Sequence, residues 1–149
     1  MRQRGLPWTS MLAGLLLLSP LPSHAGQTDR TLAIIANKSV AASSISREDL
    51  RPIFQTRNNM WPDGTPARPF NLPETNTVRQ AFDAAVLGLD PDRVARYWID
   101  RKIRGGERAP TNIPSAAVMV KIVSKTPGAV GYVEATAVDG SVKVLAKVI

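Results

Sequence analysis

The chain of 149 residues has no cysteine and a single histidine, His24. Without thiols there is no disulfide, no thiolate nucleophile and no sulfur ligand for zinc, copper or an iron cluster. His24 lies inside an N-terminal address. Arg2 and Arg4 form a positive n-region, the stretch from Met11 to Leu18 is apolar, and Ser23-His24-Ala25 offers a small-x-small cleavage site. That layout predicts a signal peptide over 1–25, cut after Ala25, and an exported product, Gly26–Ile149. Cleavage would remove the imidazole, the usual base near neutral pH.

Long apolar runs are scarce. The stretch in the leader is too short to span a bilayer, which takes about 20 residues. Aromatic residues are only 5% of the chain. There is no Gly-x-Ser-x-Gly, no Ser-x-x-Lys and no P-loop. With carboxylates, Lys and unactivated Ser left over, the composition points away from an enzyme and calls for no metal and no cofactor.

What remains is a small basic domain. Lys plus Arg is 19 against 12 acidic residues, a net charge of +7 that falls by two when Arg2 and Arg4 leave with the leader. The excess favours an anionic partner such as phosphate, a carboxylate or lipid headgroups. An exported protein without a nucleic-acid motif gives no reason to expect nucleic acid. A chain of this length buries about two-thirds of its unfolded surface and holds its own core. No internal repeat or long linker divides 26–149, so a single domain is expected.

The nearly continuous run Thr31–Ala36 predicts a strand buried on both faces. Ser46 with Asp49 forms a capping signature, flanked by Ile45 and Leu50. Pro52 predicts a kink or two short turns. Asn58–Pro66 is a loop marked by Trp61-Pro62-Asp63-Gly64, and Trp61 is either tucked beneath it or exposed as a contact. Arg68–Leu72 is a short strand, with Pro69 suggesting an edge or a strand start. Val78, Ala81, Phe82, Ala85, Val86 and Leu89 make the inward stripe of a helix over about 77–87, closed by Gly88. Asp90-Pro91 opens another helix, faced by Val94, Tyr97 and Trp98. Gly105–Pro114 reads as a loop. Ser115 caps a helix with Ala116, Met119, Val120 and Val123 inward, and Thr126-Pro127-Gly128 stops it. Ala129–Val133 is a strand. Asp139-Gly140 signals a hairpin into a last, edge strand, with Val142, Val144, Ala146 and Val148 on one face and Lys143, Leu145 and Lys147 on the other. The sum is an α/β sheet with helices packed on it.

Ile53-Phe54, Trp61-Pro62-Asp63-Gly64, the capped helix with Phe82 and Pro127-Gly128-Ala129-Val130-Gly131-Tyr132-Val133 follow one another in an order that resembles the second lobe of the phosphate-binding protein of phosphate ABC importers. These are type 2 periplasmic binding proteins. The likeness runs from about Leu32 to Glu134. It implies a single lobe of that fold, a mixed sheet of about five strands flanked by helices, where a complete receptor has two lobes with ligand between them. It also implies a periplasmic location and a small anion such as phosphate as ligand. In that family a Ser-Gly-Thr at a helix start, with an Arg shortly before it, holds the anion. The matching positions here are Asn76-Thr77-Val78 and Leu72, so the Gly and the Arg are both absent.

The candidate ligand group is therefore Thr75, Asn76, Thr77 and Arg79. A helix start presents unpaired N–H groups, three side chains add polar atoms, and Arg79 can fork onto an oxyanion. The plainer alternative is an ordinary cap with a surface arginine. Arg101, Lys102, Arg104 and Arg108, around Gly105-Gly106, form a basic patch that either contacts an anion or acidic partner or simply ends a helix. Tyr97 and Trp98 read as core. Two functions are open: a periplasmic anion-binding module, or an accessory module that docks on a membrane sensor, channel or transporter, or on a second copy of itself.

Overall fold

The computed structural model describes residues 31–148, so the expected leader 1–25 lies outside the described residues. Strand β1, Leu32–Ala36, is buried at every position, as its unbroken apolar run requires. It is followed by α1 (Arg47–Phe54), β2 (Arg68–Asn71) and α2 (Thr77–Phe82), which runs on into a π-helical turn over Asp83–Leu87. Then come α3 (Pro91–Ile103), β3 (Thr111–Asn112), α4 (Ala116–Lys125), β4 (Ala129–Glu134) and β5 (Lys143–Val148). They build one mixed five-stranded sheet in the order β3-β2-β4-β1-β5. β2 is parallel to β3 and β4, whereas β1 is antiparallel to β4 and β5.

The core lies where α1, α2 and α4 cover the sheet. Phe54, Phe82 and Tyr132 meet at its centre, with Phe82 and Tyr132 stacked at 3.8 Å. Asn37, buried at the end of β1, donates to the carbonyls of Val123 and Ser124 and so closes the C-terminal end of α4.

Several expectations fail for definable reasons. Pro52 does not split α1, an eight-residue helix through it. The bond it forfeits is to the carbonyl of exposed Glu48. β2 is interior, yet β3 pairs only with Phe70 and Asn71, so the neighbour on that side starts after Pro69. The expected loop 105–114 thus hides a two-residue strand, too short to leave a periodic signal. Asp139-Gly140 forms no hairpin, because β4 and β5 both pair with β1 and not with each other. Asp139 instead accepts from the Ser141 N–H in a local turn on the connection that crosses β1.

The strict alternation proposed for β5 is also broken. Ile34 faces Ala146 and Ile35 faces Val144, so Leu145 is an extra residue in a bulge. Val142, Leu145 and Val148 are buried and Val144 is exposed. In the helix of Phe82, Ala81 is exposed while Arg79 and Asp83 are buried with Val86 and Leu87. The wider π turn rotates its later residues relative to a regular helix. Gly88, at φ +68°, ends it as expected.

Candidate functional site

β2 runs from Arg68 to Asn71 and delivers the chain, at its carboxyl end, to the turn Pro73–Asn76 that starts α2. The carboxyl ends of strands are where open α/β sheets place their ligands. The turn is closed by the Asn76 N–H donating to the Pro73 carbonyl at 2.9 Å. Asn76 is the N-cap: its Oδ1 accepts from the Val78 N–H at 2.8 Å. The first bond of the helix proper runs from the Gln80 N–H to the Asn76 carbonyl. Thr75 and Thr77 are exposed beside this tip.

Arg79 departs from its expected role. The sequence points it at an anion; the structure turns it inward, 2% exposed. Its Nε donates to Asp83 Oδ2 at 2.7 Å and its Nη1 to the Leu72 carbonyl at 3.0 Å. It is not a surface arginine either. The Leu72 N–H donates to the Tyr132 hydroxyl, which itself donates to Asn71 Oδ1, both at 3.2 Å. Leu72, the residue entering the turn, is thus held at its N–H by Tyr132 and at its carbonyl by Arg79. Both positions were readable as core or surface, but no spacing rule ties a tyrosine of β4 to a turn after β2.

The electrostatics follow from burial. Burial raises the Asp83 carboxyl above the ordinary carboxylate range, and the Arg79 charge and hydrogen bond offset this only in part. Asp83 Oδ1 is buried without a partner. Burial also pushes the Tyr132 hydroxyl far above its ordinary value, so it stays a neutral hydrogen-bonding group. The network positions a turn, and the neutral Tyr132 hydroxyl serves in it as a hydrogen-bonding group.

The basic patch is not a single cluster. Arg101 reaches back to the turn after α1, its Nη2 donating to the Thr56 carbonyl at 3.0 Å and to the Thr56 hydroxyl at 3.3 Å. Arg104 pairs with Asp100 at 2.9 Å, both side chains well exposed. Lys102 and Arg108 are exposed and have no ion-pair partner among the described residues. Tyr97 and Trp98 are half-buried and lie outside the main core, packed edge-to-face at 4.9 Å. Trp61 takes the tucked alternative. It is 2% exposed and its indole N–H donates to the Gly128 carbonyl at 3.0 Å.

The larger concavities lie away from the α2 tip. One of about 320 Å³ is lined by Ser39, Thr65, Pro66, Arg68, Pro127 and Gly128. A second, of about 520 Å³, lies between α3 and residues 106–109. A small cavity of about 30 Å³, lined by Glu74, Gln80, Asp83, Pro91 and Val94, sits beside the turn.

This architecture is the fold of one lobe of phosphate-transport substrate-binding proteins. An ABC-type phosphate transport receptor from Vibrio cholerae superimposes with a TM-score of 0.61 at 20% identity, over 76% of this chain and 44% of that one. A putative phosphate ABC transporter substrate-binding protein with bound phosphate from Clostridium perfringens gives 0.62 at 17% identity, over 76% and 43%. PstS from Borrelia burgdorferi gives 0.60 at 13% identity, over 78% and 46%. The chain therefore spans less than half the length of each of these solved proteins. No protein-family model matches its sequence, and a search of the curated proteins found no match.

Proposed function

We propose that this protein is an exported, non-catalytic module that binds a small oxyanion, phosphate foremost, at the tip of α2. The observation that carries this reading is the anchored turn. Two buried side chains, Tyr132 and Arg79, are spent on fixing Leu72, and the element they fix is the one bearing Thr75, Asn76 and Thr77. Preorganising a turn in this way lowers the ordering cost of an anion that accepts from its N–H and hydroxyl groups. The phosphate-transport proteins that share the fold support the choice of anion. Arg79 acts in this reading as a positioning residue, not as a ligand. Export rests on the leader pattern over 1–25, and the periplasm on the family likeness.

The chain matches less than half of each solved relative, and in this reading the α2 tip is one wall of a cleft. The other wall would come from a second copy or from a membrane-protein partner. Light scattering with and without phosphate separates the two: a shift from monomer to dimer mass supports the copy.

The direct test is an amide-resolved NMR titration with phosphate, with sulfate and acetate for comparison. The expected result is saturable shifts centred on residues 75–78, reduced in a Thr75→Ala/Thr77→Ala variant. Absence of saturable shifts up to millimolar phosphate overturns the reading.

A further inference from the structure

α3 is bound to the body along only one side. Val94 is buried, the Tyr97 hydroxyl donates to the Gln55 carbonyl at 2.9 Å, and Arg101 holds Thr56. These three lie on one face at helical spacing. The opposite face carries a second apolar stripe. Ala95, Ile99 and Ile103 follow at i, i+4 and i+8, and Ile99 and Ile103 are 60% and 78% exposed. Half-buried Trp98 borders that stripe. Exposed Arg96 and Lys102 flank it on either side, with no ion-pair partner among the described residues. A groove of about 520 Å³ runs beside it, and Trp98, Lys102, Glu107 and Arg108 are among the residues that line it.

We propose that this outer face of α3 is a peripheral contact for an anionic lipid surface. Exposed isoleucines beside a tryptophan, with cations in excess over acids around them, are what a helix lying in a membrane interface presents. The excess of cations on this face, Arg96, Lys102 and Arg108 against Asp92 and Glu107, argues for this occupant over a second copy, which would bring the same excess. No helix among the described residues is long and apolar enough to cross a membrane, so the contact is a docking one. The surface belongs to α3 and uses no residue of the α2 tip, so it stands or falls apart from anion binding.

The test is co-sedimentation of the exported protein with vesicles, all variants sharing one N-terminus verified by mass spectrometry. Vesicles of neutral phosphatidylcholine are compared with vesicles containing phosphatidylglycerol. The expected result is partitioning onto the anionic vesicles alone, weakened by salt. Ile99→Ser/Ile103→Ser and Lys102→Glu/Arg108→Glu should each lower it about tenfold. All four positions are exposed, and circular dichroism checks that the variants fold. Lys121→Glu/Lys147→Glu, a charge-matched change on α4 and β5, should leave most of the binding. No partitioning, or an equal loss in the charge-matched variant, overturns the proposal, as does capture of only an acidic protein partner.

Discussion

The indole N–H of Trp61 donates to the carbonyl of Gly128 at 3.0 Å, tying together two segments 67 residues apart in sequence. Gly128 adopts φ +75°, and a Cβ there would lie 2.2 Å from the Pro66 carbonyl oxygen. The Trp-Pro-Asp-Gly loop and the Pro-Gly before β4 are thus two halves of one clasp. They also carry much of the resemblance to phosphate-transport proteins, so that part of the likeness describes how the lobe is fastened rather than what it binds.

Gly128→Ala tests the clasp. A left-handed backbone and a contact too short for any Cβ both oppose the change, and the expected loss is about 2–5 kcal/mol. Urea unfolding followed by tryptophan fluorescence measures it. A loss below about 0.5 kcal/mol, the range of ordinary surface changes, would mean the two segments are not held as described.

Arg79 and Asp83 should behave as a buried pair. Arg79→Met alone strands the Asp83 carboxylate and should cost about 3–5 kcal/mol, whereas Arg79→Met/Asp83→Leu together should recover most of that. A full double-mutant cycle by chemical denaturation decides the matter. If Arg79 were instead an exposed anion ligand, its replacement would leave stability intact and abolish phosphate binding.

The same pair sets a pH dependence. The folded-state Asp83 carboxyl sits above its ordinary value of 3.8, so the folded chain holds that proton more tightly than the unfolded one. Its contribution is greatest below pH 3.8 and is lost as pH rises through the folded-state value. Asp63 and Asp139, exposed and hydrogen-bonded to Thr65 and Ser141, are shifted down; what they contribute is present above pH 3.8 and lost as pH falls. Relative to Asp83→Asn, the wild type should therefore gain stability as pH drops through the acidic range. Urea midpoints of both proteins from neutral pH downward check the sign, and a gap that widens toward neutral pH in favour of the wild type contradicts it.

The bulge in β5 makes a prediction opposite to that of the alternating pattern. Leu145→Ala should cost about 2–5 kcal/mol, while Val144→Ser should stay within about 1 kcal/mol. Simple alternation would bury Val144 and expose Leu145. Thermal unfolding of the two variants distinguishes the cases.

The local elements were readable because their causes are local. β1 is an apolar run with nothing polar to interrupt it. Ser46, Asn76, Asp90 and Ser115 are caps defined within a few residues of the helices they open. Gly88 ends a helix because few other residues tolerate its backbone angle. The lobe class followed from the order of such pieces together with the Trp61 and Gly128 segments. Tertiary structure alone decided that β1 separates β4 from β5, that Leu145 rather than Val144 faces inward, and that Arg79 is spent inside the molecule. Each depends on a partner distant in sequence: the strand that intervenes, the register of β1, and the carbonyl and carboxylate that meet a guanidinium once the helix docks. Hydrophobic period and capping chemistry act over one or two turns, whereas strand order and the destination of a long charged side chain are set by packing across the sheet.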